Sequence, residues 1–304
     1  MNCFFRVLFG FIIVIILQIN FAQAQIIDEN EKWIKVLDNL NFPEGPAWDG
    51  KEYLYLSNCY GSWITRFDGN KFDTLAAKTN DSLSIEKTNG LAIGKDGYIY
   101  ACEYGYGAIL KIALNGKLEI LCSGFAGEKF NRPNDLVIDN DGNIYFTDPK
   151  SYDPKIPDGR IFRFDIKENE VKLVAEELCF PNGINIAPSG KRIYVSESAK
   201  NRIISYDINN AGMLINKKTF IYLPGGDPDG IDIDENGNLY VAHFGGKSLY
   251  IISPEGRIIQ KIETPGKKPS NIEFGGSDRR TLFLTEDETN ALYIIKTKIS
   301  GFKR

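Results

Sequence analysis

PNDLVIDNDGNIYFTDP, residues 133–149, sets alternating apolar and polar residues on either side of Asp141-Gly142. Period-2 alternation flanking a dipeptide that tolerates positive φ reads as two antiparallel strands joined by a tight turn. The phrase recurs five more times, as PEGPAWDGKEYLYLSNCYG (43–61), TNGLAIGKDGYIYACEYG (88–105), PNGINIAPSGKRIYVSES (181–198), PDGIDIDENGNLYVAHFGG (228–246) and PSNIEFGGSDRRTLFLTEDE (269–288). Its origins, Glu44, Asn89, Asn134, Asn182, Asp229 and Ser270, are 45, 45, 48, 47 and 41 residues apart. A unit of about 47 residues is the size of one four-stranded propeller blade. The expected fold is therefore all-β, a six-bladed β-propeller occupying residues 25–304 as one domain. Trp33 to Leu37 is expected to pair with the last repeat, because an unpaired edge would otherwise face solvent.

Composition agrees with this reading. The 304 residues are 43% hydrophobic and 12% aromatic, with 29 Gly and 13 Pro spread among strand-forming residues, which excludes intrinsic disorder. Lys and Arg total 36 against 40 Asp and Glu, a formal charge of -4, so no basic surplus exists to drive nucleic-acid binding. Residues 1–24 carry one charge, Arg6, then an apolar run from Val7 to Leu17 and the small-residue pattern Ala22-Gln23-Ala24. This is the pattern of a cleaved secretory signal, and the apolar run falls short of the roughly 20 residues that span a bilayer. A secreted or periplasmic protein without membrane attachment is expected. Cys59, Cys102, Cys122 and Cys179 then remain; export permits a disulfide, but no CxxC spacing occurs and buried free thiols are expected.

Counting seven residues each way from the turn centred near Asn236 sets Asp229 opposite His243. The same count pairs Glu44 with Asn58, Asn89 with Glu103, Asn134 with Asp148, Asn182 with Glu197, and Ser270 with Glu286. The first strand of a blade lines the central channel, so the origins form an inner ring of six oxygen donors. Any one of them could be a turn residue bonding its own backbone. Six equivalent positions, with Glu44 and Asp229 unbalanced by Lys or Arg in register, point instead to a bound cation. Oxygen-only donors with two carboxylates select a hard divalent ion, calcium before Mg2+, Mn2+ or Zn2+. The second ring holds either solvated strand ends or substrate contacts, with Glu103, Asp148 and His243 the candidates for contact; a lone His such as His243 is more often packed or hydrogen-bonded. His243 is the only histidine, and no GxSxG elbow accompanies it.

Over residues 40 to 296 the sequence resembles the gluconolactonase, regucalcin and luciferin-regenerating-enzyme family of six-bladed propellers. FPEGPAW, FNRPNDLVIDNDGNIYFTDP, FPNGINIAPSG and GDPDGIDIDENGNLYVAHFGG stand where that family has its metal-site motifs. The resemblance implies metal ligation by Glu44, Asn134, Asn182 and Asp229, four of the six ring positions. It also implies substrate contact by Arg132, two residues before the first metal Asn, with Asn89 as a further contact. Tyr152, with Asp153 adjacent, stands where animal members place a sugar-contacting Glu. The implied activity is metal-dependent hydrolysis of a sugar-derived or similar lactone, with Asp229 activating water. The alternatives are an ester or phosphotriester hydrolase using the same ion, and a non-catalytic calcium-clamped propeller binding a glycan or peptide.

Overall fold

The computed structural model describes residues 25–303 apart from residue 82, so the expected signal segment lies outside the described residues. Six four-stranded antiparallel sheets follow one another along the chain. Blades 1 to 5 span residues 43–77, 88–122, 136–178, 181–222 and 227–263; blade 6 takes three strands from 269–296 and its fourth, Ile34–Leu37, from the N-terminal side. Each inner strand packs against the inner strands of both neighbouring blades, and blade 6 packs against blade 1, which closes the ring. The architecture is the six-bladed β-propeller. Among the described residues the one helical element is a single 3-10 turn, Ser198–Lys200, and no helix is long and apolar enough to cross a membrane.

Alternation along each strand serves two interfaces at once. In blade 3, Ile144 and Phe146 pack with Tyr100, Cys102 and Ile109 of blade 2, while Tyr145 between them packs with Ile193 and Val195 of blade 4. Six such clusters fill the six gaps between blades. Each fully buried Ile, Leu or Phe contributes roughly 1.5–3 kcal/mol, so the ring is held chiefly by these interfaces. The hairpin turns fall where expected, with Gly97, Gly142, Gly190 and Gly237 all at positive φ. Ile34, Lys35 and Leu37 pair with Ile294, Tyr293 and Leu292, as expected of the closing strand. The segment before it is held across blade 5, where the Gln260 side chain accepts from the Ile26 and Ile27 amides and donates to the Ile27 carbonyl.

The register corrects the expected pairings by one residue. Asn58 lies opposite Pro43, Glu103 opposite Thr88, Glu197 opposite Pro181, His243 opposite Pro228 and Glu286 opposite Pro269. In blade 3 the Asn134 amide donates to the Thr147 carbonyl, so Asp148 is displaced in the same sense. The cause in blades 1, 2, 4, 5 and 6 is an irregularity in the inner strand at or just after the ring position, for example between Glu44 and Ala47 and between Pro228 and Ile231. An extra residue on one strand of a ladder bends it and re-aims a side chain.

All four described cysteines are free; Cys59, Cys102 and Cys179 are buried and Cys122 is half-buried.

Candidate metal centre

Five of the six ring residues come together. Glu44, Asn89, Asn182 and Asp229, from the inner strands of blades 1, 2, 4 and 5, and Asn134, two residues before that of blade 3, line a cavity of about 210 Å³ at the end of the channel where the inner strands begin. A larger cavity of about 380 Å³, at the end where those strands finish, contains none of them.

Their backbones are tied by the preceding blade. Ser57 Oγ donates to the Asn89 carbonyl at 2.7 Å, Gly90 N to Asn134 O at 2.8 Å, Thr147 Oγ1 to Asn182 O at 2.8 Å, and Ser196 Oγ to Asp229 O at 2.6 Å. Close approach of neighbouring inner strands requires glycine next to the ring. A Cβ on Gly45, which has φ +46°, would lie 2.2 Å from Asn89 O, and one on Gly183 would lie 2.2 Å from Asp229 O.

Ser270, the expected sixth donor, is corrected. Its hydroxyl is fully buried and bonded to Pro43 O and Thr285 Oγ1, both at 2.8 Å, so it anchors blade 1 and does not face the cavity.

The electrostatics of the cavity are one-sided. Burial and the nearby Asp135 push the Glu44 carboxyl up to about 8, against which the Gly45 amide and Asn271 act only weakly. Burial, then Glu44, Asp287, Asp135 and Asp227, all push Asp229 upward. Neither carboxylate is ion-paired among the described residues. Two desolvated carboxylates facing neutral amide oxygens are a costly arrangement that a hard divalent cation relieves. The donor set therefore fits such an ion through Glu44, Asn134, Asn182 and Asp229.

The second ring is not a set of solvated strand ends. Asn58, Glu103, Asp148, Glu197, His243 and Glu286 are all at most 1% exposed. Glu103 accepts from the amides of Glu86, Lys87 and Gly105, Asp148 from that of Arg132, Glu197 from that of Cys179, and Glu286 from those of Lys268 and Thr289. Asn58 Oδ1 accepts from Asn41 N, and His243 Nε2 donates to the Leu223 carbonyl at 2.9 Å. Each member thus pins the segment entering its blade's inner strand. Glu103, Asp148 and His243, expected at the mouth as substrate contacts, are placed behind the cavity wall.

Arg132 sits at the rim. Its Nη1 donates to Tyr104 Oη at 3.0 Å, and its guanidinium lies 5.6 and 5.7 Å from the ring centres of Tyr104 and Phe180. Those two rings, with Phe42, Tyr60, Tyr152 and Phe244, make an aromatic collar around the oxygen donors. Phe42 and Phe180 occupy equivalent positions two residues before a ring member, as Arg132 does, and both have φ +55°. Bulky residues in that region are strained and persist only where surrounding structure holds them. The repeat phrase starts one residue after Phe42 and Phe180 and so leaves them out, whereas Tyr60, Tyr104 and Phe244 fall inside its copies at positions of mixed chemistry.

The comparisons agree with the six-bladed fold. A family model described as the SMP-30/gluconolactonase/LRE-like region matches residues 42–287. A gluconolactonase from Zymomonas mobilis is 30% identical over 234 residues, covering 70% of this chain and 64% of that protein. The diisopropyl-fluorophosphatase of Loligo vulgaris is 30% identical over 204 residues, covering 61% of this chain and 64% of that protein. The chain thus spans just under two thirds of either relative. Among solved structures, a gluconolactonase from Xanthomonas campestris superposes with a TM-score of 0.78 at 26% identity, covering 90% of this chain and 91% of that one.

Proposed function

Because the chain belongs to the SMP-30/gluconolactonase/LRE-like family, we propose that it is a metal-dependent lactonase acting on a sugar-derived or similar lactone. The observation that carries this reading is the pair of buried carboxylates, Glu44 and Asp229, that share one cavity with Asn134 and Asn182 and no cation of the protein. When bound, a hard divalent ion, calcium foremost, supplies Lewis-acid stabilisation of charge developing on the carbonyl oxygen. Asp229 accepts a proton from water as the new carbon–oxygen bond forms, and returns it to the ring oxygen as the ester bond breaks. Arg132, fixed between Tyr104 and Phe180, donates to substrate hydroxyls or to the ring oxygen, and Asn89 offers a further polar contact. The collar excludes water and gives a lactone ring flat surfaces to lie against.

Similarity to the fluorophosphatase favours a second reading, hydrolysis of another ester or phosphotriester on the same donors. We also propose export, from the pattern of residues 1–24; N-terminal sequencing of protein recovered outside the cytoplasm should start near Gln25.

The deciding experiment is proton release from a panel of lactones, carboxylic esters and phosphotriesters, with calcium and then with chelator. Acid release from lactones that chelator abolishes supports the lactonase. Turnover of phosphotriesters alone supports the second reading, and no turnover of any substrate leaves a calcium-clamped binding propeller.

A further inference from the structure

Blades 1 to 5 each present an oxygen donor to the cavity from the inner strand or, for Asn134, from just before it, whereas blade 6 spends its Ser270 hydroxyl on Pro43 and Thr285. No described residue of blade 6 lines the cavity, but the end of its second strand holds a carboxylate, Asp287, set back from that lining. Asp287 follows Glu286 as Cys59 follows Asn58, Tyr104 follows Glu103, Ser198 follows Glu197 and Phe244 follows His243, and those four all line the cavity. Asp287 is 8% exposed, and both its carboxylate oxygens are buried with no hydrogen-bond partner. Glu44, Asp229, Glu286, Cys59 and Tyr60 are within its electrostatic reach. The nearest cation is Lys268, whose ammonium lies 5.8 Å from the Phe244 ring centre and forms no ion pair among the described residues. A desolvated carboxylate with neither hydrogen bond nor ion pair is costly to keep, so its presence beside two others calls for a partner.

We propose that Asp287 is a third anion of the cation site, acting on the ion through its charge from outside the directly ligating set. The inference rests on the metal-centre reading. No three His, Cys, Asp or Glu side chains among the described residues converge closely enough to ligate one ion, which assigns Asp287 the outer position. Burial, Glu44 and Glu286 hold its carboxyl up at about 10 against Lys268, so it gives up its proton when a cation binds beside it; ionised, it takes the charge facing the cation from -2 to -3, which strengthens attraction for a divalent ion and still more for a trivalent one.

The test uses the full chain, stripped with chelator and titrated calorimetrically with calcium and separately with terbium. In Asp287→Asn the calcium Kd is expected to rise tenfold or more, and the terbium Kd by a larger factor. The stripped variant and the stripped parent should melt alike near neutral pH, since burial, Glu44 and Glu286 push the Asp287 carboxyl up to about 10 and keep it protonated while no ion is bound. Asp287→Ser, checked by circular dichroism, serves if the Asn variant does not fold. A Kd unchanged from the parent overturns the assignment, as does a stripped variant that melts below the stripped parent, which would make Asp287 a structural group paired with Lys268. A parent that binds neither ion overturns the metal centre itself and this assignment with it.

Discussion

Asp229 is proposed for two duties, holding an ion and moving a proton, and one substitution separates them. Asp229→Asn keeps an oxygen at the position while removing the charge and the base, so calcium affinity should fall. At saturating calcium the remaining loss reports the chemistry alone, expected on the order of a hundredfold or more in kcat. A metal-loaded variant turning over near the parent rate would reduce Asp229 to a ligand. His243 makes a prediction of a different kind. Burial lowers its imidazole below the ordinary 6.5, so as pH falls the unfolded chain takes up the proton first. The stability it contributes is complete above 6.5 and is lost as pH falls from there toward the lower folded value. The melting temperature of the parent should therefore drop more between pH 8 and pH 5.5 than that of His243→Gln. The ring donors were legible because a polar residue recurs at one phase of an apolar repeat. Asp287 was not, since its equivalents are Cys59, Tyr104, Pro149, Ser198 and Phe244, which share no chemistry.

The strand pairs position these side chains through contacts between one blade and the next. Ser196 on the second strand of blade 4 holds the Asp229 carbonyl of blade 5 at 2.6 Å. Ser196→Ala leaves that buried acceptor short of a partner, at a cost of about 1–3 kcal/mol. Chemical denaturation should show that loss, and calcium affinity should weaken with it because Asp229 is the residue released. Unchanged calcium affinity in a destabilised variant would show that the contact supports the fold alone. Strand order, turn glycines and the closing strand all follow from period and spacing. The register does not, because counting outward from a turn assumes an unbroken ladder, and an irregularity between Glu44 and Ala47 or Pro228 and Ile231 leaves no mark on composition. That single displaced residue also explains why the second ring is buried against backbone amides instead of standing at the mouth.

The ring as a whole depends on its closure. Removing residues 25–38 takes away the fourth strand of blade 6, the Gln260 contacts with Ile26 and Ile27, and the bond from Trp33 Nε1 to the Glu263 carbonyl. The shortened chain, residues 39–304, should melt well below the parent and self-associate, because the strand Ala291–Lys296 is left with an open edge. Size-exclusion chromatography and a thermal melt check both. Ile34 pairs with Ile294, so almost the entire polypeptide separates the two halves of blade 6. During synthesis, blades 1 to 5 can form in turn as the chain lengthens, but the earliest strand must wait for nearly the last residues before it finds its place. The buried carboxylates of blades 1 and 5 are joined through blade 6, so an interrupted or prematurely terminated chain would lack the one contact that makes a curved row of sheets into a vessel.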